Sequence, residues 1–200
     1  MADIFEVLFG SKARVRLLRL LLLNADKEFS FEDIKTKTLL KKSEVTKELN
    51  HFSKIKLVRE RSKKNQKLVA INGQFPFYAE LKNLFSKSDI DTHSKAFQKL
   101  HAIGEVKLVL VSGVFLNYAK SKADMILVVN NVNRTKLKTA MSYLEAELGR
   151  DVRFVLMNSE ELQYRLNMTD RFLMEFLEHS HQEVINKIPE LKRFAAGLKR

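Results

Sequence analysis

The sequence predicts an α+β protein in two parts: three helices and a β-hairpin within residues 1–88, then a small α/β unit with C-terminal helices over residues 93–200. Three observations carry this expectation. Helical periodicity with capping residues recurs between Ser11 and Lys54, then gives way to strand, polar turn and strand over residues 57–72. A polar stretch, SKSDIDT at residues 86–92, reads as a linker. Beyond it, short apolar runs alternate with amphipathic ones, the pattern of an α/β unit.

Within the first part, Ser11 is placed to cap a helix over residues 12–24, with Val15, Leu18 and Leu22 on its apolar face. Residues 24–27 (NADK) read as a turn. Ser30 opens a second, short helix with Asp33 three residues on, a capping-box spacing, and Phe31 and Ile34 are its apolar contacts. After a break at residues 38–42, Ser43 is the expected cap of a third helix through Lys54. There Val45, Leu49 and Phe52 recur at spacings of four and three, which sets them on one buried face. LVRER and KLVAIN, joined by SKKNQ, then form the hairpin. Phe77, Leu81, Leu84 and Phe85 mark a further helix.

Charge and composition narrow the function. The net charge is +12, and residues 1–88 hold 19 Lys/Arg against 10 Asp/Glu, whereas residues 89–200 hold 17 against 14. A basic first part suits a polyanion, although charge alone is equally met by a solvated basic surface. With no cysteine, disulfides and thiolate metal sites are excluded. The N-terminus lacks a basic segment before an apolar core, and residues 20–23 form the longest leucine run, so neither signal peptide nor membrane span is expected. The expected location is the cytoplasm.

The face of the third helix opposite its apolar stripe carries Glu44, Thr46, Lys47, Asn50 and Lys54, preceded by Lys41, Lys42 and Ser43. Such side chains hydrogen-bond phosphates and base edges, and they cluster near a helix N-terminus, where a recognition helix meets the major groove. The hairpin adds Arg59, Arg61, Lys63, Lys64 and Lys67. Three helices and a basic hairpin in that order predict a winged helix-turn-helix that binds double-stranded DNA, the alternative being a tri-helical module that binds protein. GSKARVRLLRLLLLN, SEVTKELNHFSKIKLV and LVAIN followed by FPFYAELKNLF resemble winged-helix regulators of the ArsR-like superfamily, over roughly residues 5–86. The resemblance implies gene regulation and dimerisation. It does not extend to the cysteine metal-sensing motif.

In the second part, residues 95–103 read as helix ending at Gly104, residues 106–111 and 124–129 as strands, and residues 133–148 as a helix closed by Gly149. Residues 152–157 read as a third strand, and residues 159–166 and 169–187 as helical. Ser112-Gly113-Val114, nine residues, then Asp124-Met125-Ile126 resembles the nucleotidyltransferase fold, in which Gly-Ser is followed by Asp-x-Asp and a carboxylate on a later strand. Residues i and i+2 of a strand share a face, so two aspartates there can hold Mg²⁺ against phosphates. Here Val114 stands for the serine, Ile126 for the second aspartate and Arg153 for the third carboxylate, leaving Asp124 alone. The resemblance therefore implies a degenerate transferase fold without catalysis, metal or cofactor. An unrelated α/β domain is the alternative.

Remaining signals are weaker. His93 and His101, and His179 and His181, lack the carboxylate arrangement of a zinc site. Ser112-Gly113 has no Gly-x-Ser-x-Gly frame. Phe172, Leu173, Phe176 and Leu177 read as core or as a dimer contact, and Ile4, Phe5, Leu8 and Phe9 as a second dimer contact. The basic tail, residues 192–200, reads as frayed. Lys120, Lys122 and Arg153 could take an anion without Mg²⁺. The expected function is a DNA-binding transcriptional regulator whose second domain serves sensing, dimerisation or partner docking. The reading allows a homodimer and a nucleotide or protein effector. The alternatives are an active nucleotidyltransferase and an antitoxin-like interaction protein that represses its own operon.

Overall fold

A computed structural model describes residues 4–63, 66–87, 94–188 and 191. The chain is mixed α and β, and divides into two compact units: Met1–Asp91 together with Ser142–Asp151, and Thr92–Met141 together with Val152–Arg200. Lys64, residues 88–92 of the expected linker, His93, and the tail residues 192–200 lie outside the described residues, as does the side chain of Lys63.

In the first unit, α1 (Ile4–Phe9) and α2 (Lys12–Leu22) precede β1 (Phe29–Ser30), α3 (Phe31–Thr38) and α4 (Lys42–Lys54). The hairpin β2 (Val58–Lys63) and β3 (Gln66–Ile71) follows, then α5 (Tyr78–Ser86). Local chemistry sets the helix starts. Ser11 Oγ accepts the Arg14 amide at 3.2 Å. Ser30 Oγ accepts the Asp33 amide at 3.1 Å while Asp33 Oδ2 accepts the Ser30 amide at 3.0 Å, a complete capping box. The third helix begins at Lys42, two residues before the start expected from a Ser43 cap. Glu44 Oε2 accepts the Lys41 amide at 2.8 Å, so Lys41 is the cap and Ser43 lies inside the first turn.

The sheet runs β1-β3-β2, antiparallel throughout. Two-residue β1 was not anticipated; it pairs Phe29 with Val69 and Ser30 with Leu68. Val15, Leu18, Leu22, Ile34, Val45, Leu49, Phe52, Val69 and Ile71 fill the core, each apolar stripe meeting another at helical or strand period. Phe5 joins that core, stacked with Phe9 and tilted against Phe85, so Phe5 is interior and not the dimer contact expected of it, while Phe9 packs half-buried against the same core. Ile4, Val7 and Leu8 remain exposed on α1.

The second unit starts with α6 (Lys95–Gln98) and a 3₁₀ turn over Lys99–Ala102. Its sheet contains β4 (Glu105–Val111), β5 (Met125–Asn130), β6 (Phe154–Met157) and β7 (Gln182–Asn186), in the order β6-β5-β4-β7. Only β5 and β6 run parallel, which requires the crossover helix α7 (Arg134–Leu148) between them. Then come α8 (Ser159–Asn167) and α9 (Arg171–Glu178). The helix expected over residues 169–187 thus ends at Glu178; His179 turns extended, and QEVIN becomes an edge strand on β4. Leu108 and Leu110 share a face with Val128 and Ile126, and on them pack Leu162, Leu173, Phe176 and Leu177. Leu173, Phe176 and Leu177 of the α9 stripe are therefore core, and Phe172 packs half-buried against it.

Candidate functional sites

On α4 the buried side holds Val45, Glu48, Leu49 and Phe52. Lys42, Ser43, Glu44, Thr46, Lys47, Asn50, His51 and Lys54 are exposed, as is Lys41 before it. Among the described residues, no ion pair engages Lys41, Lys42, Lys47, Lys54 or neighbouring Lys56. A helix that directs its lysines to solvent without acidic partners presents an uncompensated positive face.

Glu48 was not singled out by sequence reasoning, and it fixes how α4 sits. Its side chain is 4% exposed and takes Arg14 Nε at 2.8 Å and Ser11 Oγ at 3.3 Å. A buried carboxylate so supplied with donors ties α4 to the start of α2. The available signal was a lone acid inside the 45/49/52 stripe. His51 and Lys56 likewise escaped notice, because polar residues flanking an exposed helix face carry no periodic signal.

The hairpin separates cations that look alike in sequence. Arg59 stands opposite Ala70 and Arg61 opposite Leu68, while Lys67 stands opposite Ser62. Strand alternation therefore puts Arg59 and Arg61 on one face and Lys67 with Glu60 on the other. Arg61 pairs with Glu28 at 3.3 Å and Lys67 with Glu60 at 2.7 Å. Arg59 is exposed and enters no ion pair among the described residues.

In the second unit, Gly113, Val114, Asp124 and Arg153 meet at one point. Asp124 ends the loop before β5 and is fully buried. Its Oδ1 accepts the Val114 amide at 3.0 Å and Arg153 Nη2 at 3.0 Å. Its Oδ2 accepts the Arg153 amide at 2.9 Å and Arg153 Nε at 2.9 Å. Four donors take up the four lone-pair positions of the carboxylate. Burial alone would raise the Asp124 pKa; the Arg153 side chain, the two amides and the guanidinium charge outweigh it and hold the carboxyl below its usual range. The bond to Asp124 raises the pKa of Arg153 in turn, and its Nη2 also donates to Ser121 O at 3.0 Å. Gly113 is required here: at φ +50°, a Cβ would stand 1.9 Å from Asp124 Oδ1.

Ile126 does not join this point. It lies two residues along β5 in the apolar core beneath α8 and α9. Of the cations expected to take an anion, Arg153 is engaged by Asp124 and Lys122 by Glu175 at 2.6 Å, while Lys120 is exposed. The hollow beside them, bordered by Tyr118, Phe172 and His179, measures about 10 Å³, room for one water. Among the described residues, no group of three or more His, Cys, Asp or Glu could hold a metal ion, and no helix is long and apolar enough to cross a membrane.

Comparisons with protein-family models, with curated proteins and with solved structures yield no match for this chain.

Proposed function

We propose that this protein is a DNA-binding transcriptional regulator that reads duplex DNA through α4 and the β2–β3 hairpin of a winged helix-turn-helix. The observation that carries the reading is the face of α4. Lys42, Thr46, Lys47, Asn50 and Lys54 reach solvent on a helix whose other side is buried, and the lysines are uncompensated. The order α2-β1-α3-α4-β2-β3, with sheet order β1-β3-β2, supports it as the arrangement that frees one helix for a groove and one hairpin for the flanking backbone. In this reading Lys41, Lys42, Lys54, Arg59, Lys63 and Lys64 contact phosphates, and Lys47 and Asn50 contact base edges.

The test is duplex selection with the purified protein, followed by titration at several salt concentrations. Affinity falls steeply as salt rises, because each neutralised phosphate releases counterions. Lys47→Ala or Asn50→Ala reduces discrimination between sites by about 1–3 kcal/mol per lost base contact. Reversing charge at Lys63 and Lys64 weakens binding to all sequences alike. Selection that enriches no sequence, together with salt-independent retention, would falsify the reading.

We further propose that the second unit is a degenerate nucleotidyltransferase-like fold without transfer activity. The observation that favours this is the filling of Asp124 by Arg153. Nucleotidyl transfer depends on cations held between attacking and leaving oxygens, and a carboxylate with all its lone pairs donated to cannot ligate one.

A further inference from the structure

We propose that residues 142–151 are part of the DNA-binding machinery, with Glu147 a positioning residue that acts through Arg16 to hold the turn between α3 and α4. The proposal rests on the DNA-binding reading of α4 and adds to it a control point outside the groove-facing surface.

Arg16 is a cation inside the first unit, its side chain 7% exposed. Its Nη1 donates to Thr38 O at 2.9 Å, its Nη2 lies 3.8 Å from Glu147 Oε1, and its Nε has no acceptor. Burial lowers its pKa; the Glu147 charge opposes that most, with Glu6 and Tyr143 behind it. The Thr38 carbonyl and the Glu147 carboxylate are thus the nearest partners of a charge that the interior would otherwise reject.

The carbonyl is the informative partner. Thr38 ends α3, where backbone carbonyls have no partner within the helix. The next residue, Leu39, turns left-handed at φ +54°, a conformation that a branched residue keeps only when its surroundings hold it. Leu40 is buried, Lys41 caps, and α4 begins. The direction of α4 therefore depends on the turn that Arg16 grips.

Residues 142–151 are fastened to α2 and α3 at several points. Arg19 Nη1 donates to Glu147 O at 2.9 Å, Asn24 Nδ2 to Gly149 O at 2.7 Å, and Lys37 on α3 pairs with Asp151 at 2.6 Å. Gly149 lies so close to α2 that a Cβ there would stand 2.5 Å from the Arg19 carbonyl carbon. Such a segment can support the turn without touching DNA.

The experiment uses the full chain carrying Glu147→Gln and a duplex selected from a random-sequence pool by the wild-type protein. Removing a negative charge from a DNA-binding protein should tighten binding if only net charge matters. The proposal gives the opposite sign: affinity falls roughly tenfold, and amide hydrogen exchange over residues 38–44 rises roughly tenfold or more, as local opening becomes easier. Arg16→Met combined with Glu147→Gln removes both charges. It regains the thermal stability lost by Glu147→Gln, since no charge is left buried alone, yet its turn stays unprotected because Thr38 O has lost its donor. Tighter binding by Glu147→Gln, unchanged exchange over residues 38–44, or wild-type protection of the turn in the double variant would each overturn the proposal. If the wild-type protein selects no duplex, the DNA-binding reading fails, and the exchange measurement alone decides whether Glu147 holds the turn.

Discussion

Asp124 is a residue whose place the sequence shows and whose partners it does not. The spacing from Ser112-Gly113 to Asp124 was readable in the sequence, and so was the arginine at position 153. The four bonds between Asp124, Val114 and Arg153 were not, because their geometry depends on strand pairing across 29 residues. Gly113→Ala is expected to cost about 2 kcal/mol or more, from a clash with Asp124 and a positive φ; urea denaturation of the second unit reads it. Asp124→Asn leaves donors without acceptors and is expected to cost about 2–3 kcal/mol, the low end for an ion pair because the Arg153 side chain is 58% exposed. The acid sign follows from the depressed pKa. The contribution is complete above the unfolded carboxyl value, about 3.9, and is lost as pH falls from there through the lower folded value. The Asn variant should flatten that part of the acid-unfolding curve, and an unaltered curve would show that Asp124 contributes nothing there.

At the scale of elements, helix starts were the most legible feature and short strands the least. Ser11 and Ser30 act within three residues of themselves, so their capping could be read directly. Ser30→Ala removes both the acceptor for the Asp33 amide and the hydroxyl that donates to Asp33 Oδ2 at 2.6 Å. The expected loss is about 1 kcal/mol, read as a lower melting temperature. The two serine bonds, the largest influences on Asp33, hold its carboxyl below the usual range. That contribution too is present above about pH 4 and fades below it. A melting temperature equal to wild type would show that the cap is dispensable. β1 and β7 escaped notice for a different reason. Two residues carry no periodicity, and QEVIN follows a strongly helical stretch; both become strands because β3 and β4 offer free edges. At α4 the expected cap was Ser43, and the Glu44 bond to the Lys41 amide places the cap at Lys41 instead.

For the whole molecule, the filled Asp124 site and the proposed regulatory role make two further expectations. Labelled nucleoside triphosphates with Mg²⁺ or Mn²⁺ should give no labelled product with the protein itself, DNA, RNA or a cell lysate as acceptor. Product that disappears on Asp124→Ala would show that one carboxylate suffices for transfer. The proposed regulator is expected to be a homodimer, since one winged helix spans few base pairs and paired recognition helices suit two-fold sites. With Phe5, Phe9, Leu173 and Phe176 committed to cores or packed against them, Ile4 and Leu8 of α1 are the exposed candidates among those contacts, and Val7 is exposed beside them. Light scattering at high micromolar concentration should give twice the chain mass, and Leu8→Lys should halve it. A monomeric mass for the wild type, with and without DNA, would remove the dimer from the reading.

What the sequence determined by itself was local and periodic: helices α2 to α5 of the first unit but not α1, the hairpin, the strand–helix alternation of the second, and the residues free to face outward on α4. These follow from spacings of two, three and four residues, which act before the chain has folded. The tertiary structure decided which charges are compensated. Glu48 lies inside a helix stripe, Arg16 and Arg153 find their carboxylates far along the chain, and Lys67 parts company with Arg59 and Arg61 across a pleat. The sign of a charge is written in the sequence, but its solvation and its partner depend on neighbours that only folding brings within a few ångströms.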